Sequence, residues 1–323
     1  MSRSQPTIKI ATRGSALAMA QANYIMDLCQ SKMPGWVFQI EVIKTTGDKL
    51  QTASLANPDK SLPKGLFTKE IEEALLNKSA DLAVHSLKDL PTELPEGLKL
   101  GAVPNREDVS DVLIYKGNQV SSADDFWDMI PEGATIASSS LRRKSQIKQK
   151  RPDIEVVEIR GNVGTRLKKL YQSDSLFGTV LAAAGLKRLG INLNTNGFIE
   201  GAEVPDSLKY ARFPLLDMLP CVGQAAIGIE IRENDPLLEE LCIAINDSIS
   251  WFEVHAERSF LRELGGGCQS PIAALARYEE GELELSVMAD INSFVFRSVR
   301  KVSLCEAEAV GTRLANEAKS QTN

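Results

Sequence analysis

Asp81-Leu82-Ala83-Val84-His85-Ser86-Leu87-Lys88-Asp89-Leu90-Pro91 is a near-continuous apolar run that ends in two ionisable residues and a proline. A strand buried on one face alternates polar and apolar side chains; a strand buried on both faces, as in a parallel sheet under helices, does not. Leu82 to Leu87 follows the second pattern, which places this strand inside an open α/β sheet. Sheets of that kind bind ligands beyond the carboxyl ends of their strands. Lys88 and Asp89 stand at that end, a cation and a carboxylate offered to a ligand.

Upstream, Thr7 to Thr12 reads as a short strand. The turn Arg13-Gly14-Ser15 follows, then a helix from about Ala16 to Lys32 with Ser15 as its N-cap. Phe38, Ile40 and Val42 alternate with polar neighbours as a second strand. Residues 48–64 carry turn-forming and polar residues, no periodicity and two prolines. A connection of that length inside a compact domain suggests a flap. Phe67 to Asn77 has helical spacing, with Phe67, Ile71, Ala74 and Leu75 on one side.

Downstream, a second unit begins near Ser110. Apolar strands at Ala134–Ala137, Ile154–Ile159 and Gly178–Ala182 each run into a small turn and then a helix. The turns are Ser138-Ser139-Ser140, Arg160-Gly161-Asn162-Val163-Gly164-Thr165 and Ala183-Ala184-Gly185. The helices open on Leu141-Arg142-Arg143, on Arg166, and on the segment with Lys187 and Arg188. Such turns expose backbone N–H groups and a positive helix end. Arginine in a first helical turn opposes the helix dipole unless an anion sits there, and its fork pairs bidentately with carboxylates and phosphates. Arg142, Arg143, Arg160, Arg166 and Arg188 therefore read as a comb of anion-binding groups. From Leu141 to Lys169 ten Lys or Arg stand against three acids, a local +7 in a chain of net charge −6. That balance points to a specific anion site. Arginines in separate turns, with no aromatic-interleaved basic face, argue against nucleic acid as a partner.

After Gly190 the stretch 191–220 reads as connection plus a helical piece. Val222 to Ile231 restores a strand pattern, and Pro236 to Ser248 reads as a helix. A chain that leaves one α/β unit, builds a second and returns to the first makes a hinged cleft. The C-terminal part is α+β in order: a helix from Ser250 to Leu264, strands around 273–277, 283–289 and 295–304, then a helix from about Glu306. Between its first helix and first strand lies Leu264-Gly265-Gly266-Gly267-Cys268-Gln269-Ser270-Pro271. Three glycines ahead of one cysteine fit either a helix cap with a packed thiol or a tight loop that holds the thiol in the open.

The 323 residues are enough for two or three domains, and 43% hydrophobic with 25% charged residues is the composition of a soluble globular protein. No apolar run approaches the roughly 18 residues of a membrane span, and Met1 to Pro6 has no apolar signal core. A cytoplasmic protein without a membrane partner is the expectation. The five cysteines (Cys29, Cys221, Cys242, Cys268, Cys305) form no CxxC pair, and there are two histidines. A reducing compartment and no metal site are expected. No P-loop, dinucleotide fingerprint, HExxH or GxSxG occurs.

Several stretches, in order, resemble the porphobilinogen deaminase family, also called hydroxymethylbilane synthases. They are Ala11-Thr12-Arg13-Gly14-Ser15-Ala16-Leu17-Ala18, Lys64-Gly65-Leu66-Phe67, Ala83 to Pro91, Ser138 to Arg143, Arg160 to Arg166, Leu181 to Leu189, Val222-Gly223-Gln224 and Gly266-Gly267-Cys268. The resemblance implies two doubly wound, periplasmic-binding-protein-like α/β domains around a cleft plus a smaller C-terminal α+β domain. The implied boundaries are 1–107 with 222–246, 108–221, and 247–323. It further implies a monomeric transferase that deaminates porphobilinogen and joins four molecules head to tail into hydroxymethylbilane, for haem or chlorophyll synthesis. Cys268 would carry a dipyrromethane cofactor as a thioether, and Asp89 would be the catalytic carboxylate. Lys88, Ser138, Arg142, Arg143 and Arg188 would bind the cofactor, and Arg13, Ser15, Arg160 and Arg166 the substrate. The chemistry suits the comb, because two linked pyrroles bring four carboxylates and each added pyrrole two more. An anion-binding module for a small dicarboxylate, with Cys268 merely packed, is the alternative reading. Three positions depart from the family pattern: Ala16 for a frequent Pro, Ala225 for a usual Gly, and Phe177-Gly178 for Asp-Ala.

Overall fold

The computed structural model describes residues 5–47, 67–116, 126–202, 204–267 and 270–322; the expected flap at 48–64 and Cys268 lie outside the described residues. The chain divides into two compact units, residues 1–106 with 226–255 and residues 107–225 with 256–323. The first unit opens with β1 (Thr7–Arg13), α1 (Ala16–Lys32), β2 (Val37–Ile43), α2 (Lys69–Leu76), β3 (Leu82–Ser86) and β4 (Leu98–Ala102). The second holds β5 (Asp111–Tyr115), β6 (Thr135–Ala137), α3 (Leu141–Lys150), β7 (Glu155–Val157), α4 (Val163–Gln172), β8 (Gly178–Ala182) and α5 (Ala183–Arg188). It continues through a hairpin of β9 (Asn192–Leu193) and β10 (Ile199–Glu200) to β11 (Lys209–Arg212). The chain returns to the first unit for β12 (Ile227–Arg232), α6 (Pro236–Ile245) and the start of α7 (Ser248–Leu264). It ends in the second with β13 (Ile272–Glu279), β14 (Glu282–Ile291), β15 (Phe294–Val302) and α8 (Ala307–Thr322).

In the first unit the sheet order is β2-β1-β3-β12-β4, with β1 parallel to β2 and β3, and β12 antiparallel to both its neighbours. Ile8, Ile10, Leu82, Val84 and Ile229 pack on one face with Ile25 of α1 and Leu241 of α6. Ala11 and Ala83 pack on the other face with Ile71 and Leu75 of α2. Helices thus cover both faces, which explains the unbroken apolar run in β3. Each fully buried Ile or Leu of such a layer contributes about 1.5–3 kcal/mol.

The second unit repeats the arrangement with sheet order β11-β5-β8-β6-β7, in which β5 runs antiparallel. Ile147 of α3 packs on one face and Leu167 and Leu170 of α4 on the other. Both sheets are of the doubly wound kind, with helices on both faces. The three-stranded antiparallel sheet β13-β14-β15 lies in the same compact unit, where Leu275 and Met288 pack with Leu219 and Val109.

Several expectations shift. Residues 222–226 form a turn and not the start of a strand, with Gly223 at φ 69° and Ala225 at φ 70°, so β12 begins at Ile227. The stretch 191–220 contains β9, β10 and β11, and β4 and β5 also escaped the sequence reading. α4 begins at Val163, three residues ahead of Arg166, because the Asn162 side chain caps the Thr165 N–H at 2.9 Å. α5 has only six residues, so Lys187 and Arg188 end the helix instead of opening it, where its dipole favours them.

The departures from the family pattern have physical readings. Ala16 is the first residue inside α1, the position proline fills without loss of a hydrogen bond. Phe177 stacks on Tyr115 at 5.7 Å, and a Cβ at Gly178 would lie 2.8 Å from the Ile114 carbonyl oxygen. Ala225 holds a left-handed backbone that costs an L-residue roughly 1–2 kcal/mol. Ala225→Gly is therefore expected to raise stability by about 0.5–1 kcal/mol after the entropy cost of glycine. A thermal melt in which the variant does not exceed the parent would contradict this.

Candidate active site

In the first unit, buried anchors push the charged residues outward. The Leu87 N–H donates to the Ala226 carbonyl at 3.0 Å, and Leu90 N–H to Leu87 at 3.2 Å, closing a 3-10 turn over Leu87–Asp89. Leu87 and Leu90 are buried with Val103, Ala226 and Val254. Gly228 of β12 makes room, since a Cβ there would lie 2.8 Å from a Leu87 methyl. Lys88 and Asp89, between the anchors, turn out as half-buried and exposed side chains. The Asp89 carboxylate has no hydrogen bond or ion pair among the described residues.

Asp89 borders an open pocket at the carboxyl ends of β1 and β3, with Arg13, Ser15, Gln21, Phe67, His85 and Ser86 in its wall. The Arg13 guanidinium lies 4.1 Å above the Phe67 ring, a cation–π contact. Ser15 caps α1, its Oγ accepting from the Ala18 N–H at 3.3 Å, which leaves its own O–H to donate into the pocket at a positive helix end. Gln21 Nε2 donates to Ser86 Oγ at 2.9 Å and ties α1 to the end of β3. Of the expected site residues, Arg13, Ser15 and Asp89 therefore line one pocket.

In the second unit the five arginines prove unequal. Ser140 Oγ caps α3 by accepting from the Arg143 N–H at 3.4 Å, and buried Ser138 accepts from the Ser140 N–H at 3.3 Å. That geometry turns Arg142 and Arg143 inward onto Asp111, which is 0% exposed in its side chain, each with a nitrogen 2.7 Å from one carboxylate oxygen. The Arg143 guanidinium also donates to the Val180 carbonyl at 2.7 Å, and Arg142 to Leu219 at 2.6 Å. Gln224 Nε2 donates to Asp111 at 3.0 Å. Burial alone would raise the Asp111 carboxyl; the two guanidiniums reverse this and hold it far below the usual carboxylate range.

Two cations against one carboxylate leave a surplus of positive charge, and Nε of both arginines has no hydrogen-bond partner among the described residues. Arg166 adds to it. Its Nε donates to the Gly161 carbonyl at 2.8 Å, and burial and then Arg143 lower its affinity for a proton. Arg160 is exposed and touches Glu158 at 3.4 Å, worth little in solvent. Arg188 donates to the Ala225 carbonyl. The comb is thus a cationic centre of buried Arg142 and Arg143 with half-buried Arg166 coupled to it, and Arg160 and Arg188 lie in different surroundings.

The glycines before Cys268 have separate jobs. Gly265 takes φ 71°, its N–H bonding Arg262 at 3.0 Å while the Gly266 N–H bonds Leu261 at 3.3 Å, a Schellman end to α7. A Cβ on Gly266 would lie 2.5 Å from an Ile272 methyl, and one on Gly267 would meet nothing within 4 Å among the described residues. Among the other cysteines, Cys29 and Cys242 are buried, and burial pushes both thiols up to about 12, which removes them as nucleophiles.

Sequence reasoning missed His85, Gln21, Asp111 and Glu230. The one available signal was a polar side chain set inside an apolar strand, as His85 is in β3 and Glu230 in β12.

A family model described as porphobilinogen deaminase, dipyromethane cofactor binding domain, matches residues 8–240, and one for the porphobilinogen deaminase C-terminal domain matches residues 251–320. The chain belongs to the porphobilinogen deaminase family. Curated family members include the porphobilinogen deaminase of Syntrophobacter fumaroxidans, 42% identical over 312 residues covering 96% of this chain and 93% of that protein. That of Thermus thermophilus is 42% identical over 318 residues, 97% of this chain and 96% of its own length. That of Moorella thermoacetica is 43% identical over 312 residues, 96% and 92%. The porphobilinogen deaminase match therefore spans both compact units.

Proposed function

We propose that the chain polymerises porphobilinogen with Asp89 as its catalytic carboxylate, a reading carried by the unpaired Asp89 sharing a pocket with Arg13 and Ser15. Porphobilinogen is a pyrrole with two carboxylate arms and an aminomethyl group. Loss of ammonia leaves an azafulvene cation, and a carboxylate beside the pyrrole nitrogen stabilises it as charge develops. Arg13 supplies a bidentate partner for a substrate carboxylate and Ser15 a hydrogen-bond donor.

The family cofactor is a dipyrromethane, which supplies a free pyrrole α-carbon as the nucleophile for chain growth. Its four carboxylates fit a centre whose guanidiniums outnumber Asp111. Cys268 would anchor it, Ser138, Arg142, Arg143, Arg188 and Lys88 would hold it, and Arg160 and Arg166 would take carboxylates of substrate and product. We read residues 1–107 with 222–246, 108–221 and 247–323 as three functional parts, the last bearing the anchor. The enzyme would act as a cytoplasmic monomer on a route to haem or chlorophyll. Among the described residues no helix is long and apolar enough to cross a membrane.

Intact-mass measurement tests the anchor. Freshly prepared active protein is expected to exceed the sequence mass by one dipyrromethane, and Cys268→Ser to lose that increment and the activity together. Active protein at the bare sequence mass would overturn the proposal.

A further inference from the structure

His85 is the penultimate residue of β3, on the face turned toward α2, and it lines the Asp89 pocket while remaining 6% exposed. Opposite it on β12 stands Gly228, and two residues along is Glu230. His85 Nε2 lies 2.9 Å from Glu230 Oε2, both groups buried. No second hydrogen bond to the ring occurs among the described residues, so Nδ1 is uncommitted. Charged groups approach from each neighbouring element: Arg13 ends β1, Glu72 lies in the first turn of α2, Glu230 in β12, and Asp89 follows β3. Burial pushes the Glu72 carboxyl above its usual range and Glu230 adds to the push, against Thr68 and His85.

A carboxylate that accepts from Nε2–H fixes the imidazole tautomer and leaves Nδ1 as the lone-pair nitrogen. A wholly structural clamp between β3 and β12 would need neither the pocket face nor the uncommitted nitrogen. We propose that the Glu230–His85 dyad is the proton acceptor of the condensation step, with Asp89 kept for the cation. The inference rests on the reading of the pocket as the porphobilinogen site.

The step balances without a further reagent. Bond formation between a pyrrole α-carbon and the azafulvene methylene leaves that α-carbon holding both a hydrogen and the new bond. The C–H bond breaks, its electron pair restores the pyrrole ring, and the proton passes to His85 Nδ1. Ammonia released from the next substrate takes the proton away as ammonium. The division of labour has a physical basis: reference imidazole is a stronger base than a carboxylate by about 2–3 pH units, and a carboxylate pressed against a cation is weaker still.

His85→Gln keeps a donor for Glu230 but has no basic nitrogen. In the cofactor-loaded enzyme it is expected to lower kcat by about 10²-fold or more, with KM within about threefold. Porphobilinogen deuterated at its free α-carbon should then show a larger primary isotope effect than in the parent. Glu230→Gln, which donates to Nε2 and so inverts the tautomer, should reproduce both effects. A second readout needs no turnover. In 15N-histidine-labelled Asp89→Ala holoenzyme, porphobilinogen should shift one ring resonance, assigned to His85 because the chain has two histidines and His85→Gln removes one. A His85→Gln enzyme within threefold of the parent, slow variants without a raised isotope effect, or an unmoved resonance would each overturn the proposal. A parent protein that makes no hydroxymethylbilane would instead remove the underlying reading.

Discussion

Asp89→Ala is expected to reduce hydroxymethylbilane formation by at least about 10³-fold while leaving the fold intact. The size follows from losing a negative charge positioned to meet the cation; removal of one preorganised neutral hydrogen-bond donor typically costs 10²–10³-fold, and a full charge facing a developing cation counts for more. The fold survives because the side chain is exposed and holds no partner among the described residues. Leu87 and Leu90, which set the turn, are untouched. Asp89→Asn separates charge from shape, and should be nearly as inactive as the alanine variant. Enzyme assays beside thermal melts and intact mass check this; brisk turnover by a loaded Asp89→Ala protein would refute the catalytic role.

Asp111→Ala should have the largest effect on stability, a loss of about 3–5 kcal/mol, because it strands two buried guanidiniums without a counter-charge. Arg166, already disfavoured by burial and by Arg143, would be pushed further. The pH dependence has a definite sign. Asp111 is depressed in the folded state, so its contribution is complete above the unfolded carboxylate value of about 3.9 and fades as pH falls below it. Denaturant titrations should show the parent losing stability in acid below about pH 4, with Asp111→Asn lacking that part of the decline. Equal acid sensitivity in parent and variant would show that the stabilisation lies elsewhere.

The elements legible in the sequence were those with local causes. β1, α1 and β8 were placed within one residue, because Ser15 caps α1, Ile8 and Ile10 alternate with polar neighbours in β1, and β8 carries a short apolar run. The short strands β4, β5 and β11 were not, since each is held by partners far along the chain: Ile229 with Ala102, Arg212 with Val112. Glycine roles divide the same way. Gly265 announces a helix end locally, while Gly228 and Gly178 are required only because Leu87 and the Ile114 carbonyl arrive from other strands.

The same boundary runs through the site. Sequence alone marked Asp89 and Lys88, because strand burial and a following charged turn are local patterns, and it marked the arginines by their place in strand–turn–helix units. It could not tell the arginines apart. Arg142 and Arg143 are neighbours to a reader of the chain, yet their surroundings depend on Asp111, more than 30 positions earlier, which adds a buried counter-charge without removing the surplus. His85 looked like one more residue of an apolar strand until Glu230, 145 positions away, met its ring. Backbone periodicity and capping act over a few residues and are written in order. Electrostatic pairing in a low-dielectric interior acts through space, and only the folded chain decides which charges meet.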